Sequence, residues 1–219
     1  MTQTTYVLTI IEQMRRKYKI LPYLTVILVV LQLATILFSW IVASVVPSLP
    51  CRSILSGEGI RWFLGSFVDN ISGRLLAWLL LCAIAYGSFV HSGLQGAFAI
   101  LIKGENAIGY RQRHALYVAV VLCVAILAVV ALLVFMPDSV LLGVSGSLFP
   151  SAFSAAIVPL AAFVTVASSI AYGISSGEYA AIHDVFENLY YGIYMAAPIF
   201  PVYVLSVQLF YSIGYVLIL

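Results

Sequence analysis

Apolar residues run along this chain in blocks too long for a water-facing helix, and without the two-residue alternation of an exposed strand. Stretches free of Asp, Glu, Lys and Arg extend over residues 20–51, 75–102, 114–137, 139–177 and 188–219. A helix needs about 20 mostly apolar residues to cross roughly 30 Å of hydrocarbon, and every block supplies them. The pattern predicts spanning helices near 22–46, 75–101, 115–136, 153–175 and 189–218. Only helices and closed barrels satisfy all backbone donors in lipid, and uninterrupted apolar blocks lack a barrel's alternation. The expected fold class is all-α: a polytopic integral membrane protein with about five transmembrane helices.

Composition agrees with the pattern. Hydrophobic residues make up 63% of the chain and charged residues 8%, and the mean hydropathy is +1.12. Ordinary soluble domains run near 45–50% apolar and about 25% charged, so too little polar surface exists here to coat a water-facing globule. The net charge of +2 is small and its charges are scattered, which excludes nucleic acid as a partner. Cys51, Cys82 and Cys123 show no CxxC spacing and read as unpaired packing residues.

Lys and Arg set the expected orientation. Arg15, Arg16, Lys17 and Lys19 precede the first block, and Lys103, Arg111 and Arg113 lie in the second connection. Those faces are expected to be cytoplasmic, with Arg52, Arg61 and Arg74 opposite. The apolar run after Lys19 exceeds a secretory h-region and reads as a retained first helix. Residues 1–20 then form a basic, amphipathic cytoplasmic segment, and residues 21–219 a transmembrane helical domain. Within it, residues 52–72 read as an extracytoplasmic interfacial helix capped by Ser56.

Three features interrupt the apolar blocks. Pro198 and Pro201 remove donors from the last block, so that helix is expected to kink or break, a feature shared by transport sites and by ordinary packed kinks. Ser169, Gly173 and Gly177 recur at four-residue spacing and read as a helix-packing stripe, with Gly87, Ser88, Ser92, Gly93 and Gly96 similarly permissive. His91 is the one strongly ionisable side chain well inside a predicted span, which makes it a candidate transport residue or a hydrogen-bonded structural one. Gln32, Gln95 and Gln208 read as interhelical hydrogen-bonding amides.

No paired carboxylates, HExxH, GxSxG or phosphate-cradling loop lie in a predicted span, so neither enzyme chemistry nor a cofactor is expected. His183 and Glu187 share a helix face beside Asp184, but a complete zinc site generally takes three or four ligands, and no metal site is expected.

Several strings together resemble the AbgT family, transporters associated with p-aminobenzoyl-glutamate uptake and antimetabolite efflux. One block is RSILSGEGIRWFLGSFVDNISG with SGLQGAF at 92–98; the other comprises FPSAFSAAIVPLAAF, IAYGISSGEY and HDVFENLYYGIY. The family's re-entrant hairpins, which form its substrate site, have no counterpart here, so no family site residue carries over. The resemblance implies a shortened transporter-like scaffold in the bacterial inner membrane, with its amino terminus cytoplasmic. The lipid bilayer and a second copy or another membrane protein are the expected partners. The alternative is a minimal transporter or channel for a small anionic or aromatic metabolite such as p-aminobenzoyl-glutamate.

Overall fold

The computed structural model describes residues 18–46, 50–103, 109–135 and 152–218. Most of the expected amino-terminal segment, including Arg15, Arg16 and Lys17, lies outside the described residues. Among those described, the regular elements are all helical: α1 (Leu21–Val45), α2 (Gly57–Gly65), α3 (Phe67–Ile71), α4 (Arg74–His91), α5 (Leu94–Lys103), α6 (Tyr110–Phe135), α7 (Ala152–Ser176), α8 (Ile182–Ala196) and α9 (Ile199–Leu217). Five of these, α1, α4, α6, α7 and α9, are long and apolar enough to cross a membrane. The chain is an all-α, multi-pass membrane protein.

Three predicted boundaries need correction. The predicted span 75–101 is two helices, because Gly93 adopts φ 76°, a left-handed conformation that ends α4 before α5 begins. The 18 residues of α4 still reach about 27 Å at 1.5 Å per residue. The last block divides into two helices, α8 and α9, around Ala197 and Pro198, at the expected break, but α8 begins earlier than the predicted residue 189, at Ile182. The connection 52–72 is likewise two short helices, α2 and α3, that share Ser66 as a cap. Ser56 caps α2 as expected, its Oγ accepting from the Gly59 N–H at 3.0 Å.

Contacts divide the chain into two compact units, Met1–Leu76 with Ala196–Leu219, and Ala77–Met195. In unit 1, α1 packs on α9, and α9 also meets α3. Polar side chains staple this unit. Gln32 Nε2 donates to Ser212 Oγ at 2.9 Å, and Asn70 Nδ2 to Gln208 Oε1 at 3.3 Å. Tyr203 donates its hydroxyl to the Ile71 carbonyl at 2.8 Å. The Arg52 N–H reaches the Val216 carbonyl at 3.1 Å, and the Ile54 N–H reaches Ser39 Oγ at the same distance.

In unit 2, α6 and α7 form the main helix pair and α5 touches both. The core there is Leu94 and Ala97 of α5, Ala115 and Ala119 of α6, and Tyr172 of α7. Three of its five members are alanines, which lets backbones approach where hydrocarbon gives apolar surface no reason to hide. The tightest approach joins Gly87 of α4 to Gly192 of α8: a Cβ on either residue would land on the other helix's backbone.

Gly87→Ala or Gly192→Ala is expected to cost about 1–3 kcal/mol, the range for overpacking a close contact. Gly96, where an added methyl would meet only open space, is the control: Gly96→Ala should be neutral or gain up to about 1 kcal/mol from helix propensity. Denaturant titration of the three variants in one detergent checks this, and equal stabilities would contradict the crossing.

Candidate functional site

A group of polar residues of unit 2 gathers where α4 meets α8. On α8, Asp184, Asn188, Tyr191 and Gly192 fall at i, i+4, i+7 and i+8, one face of a 3.6-residue helix. On α4, Gly87, Ser88 and His91 share the facing side. The two glycines remove the Cβ atoms that would hold the helices apart, and the polar residues follow them into the seam. Ser88 Oγ donates to the Asn188 carbonyl at 3.4 Å. The His91 ring lies 4.8 Å from that of Tyr191 and 6.1 Å from that of Tyr179, centroid to centroid.

Several groups in this seam lack hydrogen bonds. Asn188 is fully buried, and neither its Nδ2 nor its Oδ1 has a partner among the described residues. His91 Nδ1 is buried in the same condition. A buried polar group left unmade costs roughly 1–3 kcal/mol, so the seam holds unused capacity of two amide donors, an amide acceptor and one imidazole nitrogen.

Tyr179 closes over the end of α7. Gly177, at φ 81°, ends that helix, its N–H returning to the Ile174 carbonyl at 3.2 Å, and the chain then folds back so that the Tyr179 ring lies on Gly173. Burial pushes the Tyr179 phenol above its ordinary pKa, and the Glu178 and Asp184 carboxylates push the same way. Tyr179 is therefore a neutral phenol at physiological pH. Asp184 shifts in the other direction. Its Oδ2 accepts from the Ala181 N–H at 2.9 Å and the Ala180 N–H at 2.8 Å, and these bonds lower its pKa, with smaller help from His183 and His91. This is the acidic half of a capping box at the start of α8, so that oxygen is already engaged.

The structure distributes the remaining sequence candidates elsewhere. Pro198 is the cap of α9 and Pro201 its third residue, positions whose N–H would have no intrahelical acceptor in any case. The prolines therefore start α9 without opening its ladder. Ser169 is fully buried, Gly173 faces Tyr179, and Gly177 faces the Arg111 guanidinium, which sits favourably at the negative end of α7. The near neighbours of these two glycines are thus side chains of unit 2. Gln32 and Gln208 are buried and bonded in unit 1, while Gln95 is exposed. Among the described residues, no three of His, Cys, Asp and Glu gather as metal ligands, and His183 and Glu187 gain no third.

Unit 2 also carries an apolar trough. A groove of about 660 Å³ runs between α6 and α7, lined by residues such as Val130, Ala131, Val134, Ile157, Ala161 and Thr165. A second recess of about 220 Å³ continues it past Ala119, Cys123 and Ser168, sharing Val164 and Thr165. Ser168 Oγ is buried without a partner among the described residues.

Asn188, Tyr191 and Tyr179 were missed by sequence reasoning that looked for charge. The signal available was the four-position polar and glycine stripe of α8 matching the Gly-Ser-x-x-His pattern at the end of α4.

The Asp184 cap gives a pH test. Because its pKa is lowered in the folded chain, its contribution is present above the ordinary carboxyl value of about 3.9 and is lost as pH falls through the lower folded value. Hydrogen exchange should show the Ala180 and Ala181 amides protected at neutral pH and losing protection in acid. Asp184→Ala should remove that protection at all pH values; unchanged protection would refute the cap.

No protein-family model matches the chain, and neither the curated proteins nor the solved structures with which it was compared match it.

Proposed function

We propose that this protein is a scaffold subunit of a bacterial inner-membrane assembly, and that the trough of unit 2 seats a transmembrane helix of a partner, either a second copy or another membrane protein. The small residues set among the aliphatic walls of that trough carry the reading. In lipid, apolar surface alone does not drive helices together, because acyl chains solvate it equally well. Association comes from close packing over small residues and from hydrogen bonds made at the contact. Ala119, Cys123, Ala131, Ala161 and Thr165 provide the first, and the unpartnered Ser168 hydroxyl is suited to the second. The strings resembling AbgT transporters support a frame of transporter descent, and Lys19, Arg111 and Arg113 support a cytoplasmic amino terminus.

A second reading, a minimal transporter for a small anionic or aromatic metabolite, is favoured by one observation: the unpaired Asn188 amide and His91 Nδ1 within a single seam. Polar groups of this kind inside a membrane often serve transport.

Extraction from native membranes into polymer-bounded lipid discs separates the two. The scaffold reading expects the protein to leave the membrane with a protein partner, and Ala131→Trp or Ala161→Trp to release it without lowering the melting temperature. Discs holding one copy and lipid alone would refute it. Purified protein in liposomes tests transport: uptake of labelled p-aminobenzoyl-glutamate that Asn188→Ala abolishes and Gly96→Ala preserves would establish the second reading.

A further inference from the structure

Unit 1 holds a polar cleft that the scaffold reading does not use. The last turns of α9 and the helices α2 and α3 enclose about 400 Å³, with walls that include Arg52, Trp62, Asp69, Asn70, Tyr211 and Tyr215. Its depth in the membrane follows from the fold. Helix α9 is a spanning helix that ends at Leu217, so its residues 211–218 lie at one face of the bilayer, where lipid headgroups are found.

The chemistry of the walls is specific. Trp62 and Tyr215 stack with ring centroids 4.2 Å apart and planes 14° from parallel, making one rigid aromatic wall. The Arg52 guanidinium carbon lies 5.7 Å from the Tyr215 ring centroid, so the cation is held against that wall by the ring's electron-rich face. The Arg52 backbone is fixed as well, by its N–H bond to the Val216 carbonyl. Neither Arg52 nor Asp69 has an ion-pair partner among the described residues, although both line the same cleft. Tyr215 Oη and Gln208 Nε2 are buried donors without partners among the described residues, and Asn70, hydrogen-bonded to Gln208, links the latter to the cleft wall.

The cleft therefore offers a cation held on an aromatic wall, one carboxylate and the Asn70 amide at headgroup depth. We infer that it binds the zwitterionic headgroup of an ethanolamine phospholipid, with the phosphodiester on Arg52 and the ammonium on Asp69. A guanidinium is the side chain best matched to phosphate oxygens, and an unpaired carboxylate lining the same cleft selects a headgroup that carries an amine. Exposed Phe210, Ile213 and Leu217 on α9 give the acyl chains an apolar surface continuous with the site. The same phosphate chemistry exists in free inorganic phosphate, which lacks both the amine and the chains.

Native mass spectrometry of the full chain, released from micelles containing equal amounts of phosphatidylethanolamine and phosphatidylglycerol, tests the inference. The ethanolamine lipid should be retained about ten-fold better, the worth of one charge-assisted contact. Asp69→Asn should erase that preference while leaving some binding of both lipids. Arg52→Ala should abolish retention of both, and Arg61→Ala, outside the cleft, should change nothing. Circular dichroism and melting of each variant guard against misfolding, and Arg52→Lys, which keeps the charge, should recover part of the retention. Equal retention of the two lipids by the unaltered protein would overturn the inference, as would full retention by Arg52→Ala. Competition by millimolar inorganic phosphate that strips the lipid would assign the site to free phosphate and overturn it too.

Discussion

A hydrogen-bonding group in hydrocarbon has only protein atoms to turn to, and this constraint orders the spanning helices. Side chains meet it in two ways. Hydroxyls on the spanning helices bend back to their own backbone: Thr25 to Leu21, Thr35 to Leu31, Ser44 to Trp40 and Thr165 to Ala161, each donating to the carbonyl four residues earlier. Those groups need no neighbour and can face lipid. Amides are too demanding for that device, with two donors and an acceptor each, so Gln32 and Gln208 are buried and reach across to another helix. In unit 1 the amides consequently decide which faces of α1, α3 and α9 meet.

Unit 2 solves the same problem by proximity. Gly87 and Gly192 bring two backbones together, and alanines do the same where α5 and α6 meet. Close approach leaves little space for long side chains, and the polar groups carried into the α4–α8 seam are not all matched. The unmatched Asn188 amide costs stability that ordinary packing residues would not, since an apolar side chain of similar volume would remove the penalty.

The proposed roles use different physics in the two units. In the trough of unit 2 there is almost no polar chemistry, and selectivity there comes from shape: small residues that a helix can approach and that a flexible acyl chain fills less tightly. In the cleft of unit 1 the proposed selectivity comes from charge, because a guanidinium and a carboxylate line one cleft near the end of a span. A subunit that holds a neighbouring helix on one surface and a defined lipid on another is anchored both to its assembly and to its depth in the bilayer.

How much could be read from the sequence follows from the range of each interaction. Hydrocarbon thickness is a constraint on consecutive residues, so the apolar blocks located the five spanning helices and required them to be helical. Local backbone chemistry was also legible: Ser56 as a cap, and a break near Pro198. The division of the second block at Gly93 was not, since a glycine within an apolar run does not by itself reveal a left-handed φ. Nor was the pairing of Gly87 with Gly192, or of Gln32 with Ser212, because residues more than a hundred positions apart carry no mark of one another in a single chain. His91 could be recognised as unusual by its type alone, but Asn188, Tyr179 and Tyr191 are ordinary residues made notable only by the tertiary structure, which buries the Asn188 amide and sets both tyrosine rings near His91, and such proximity between distant positions leaves no trace in the local sequence.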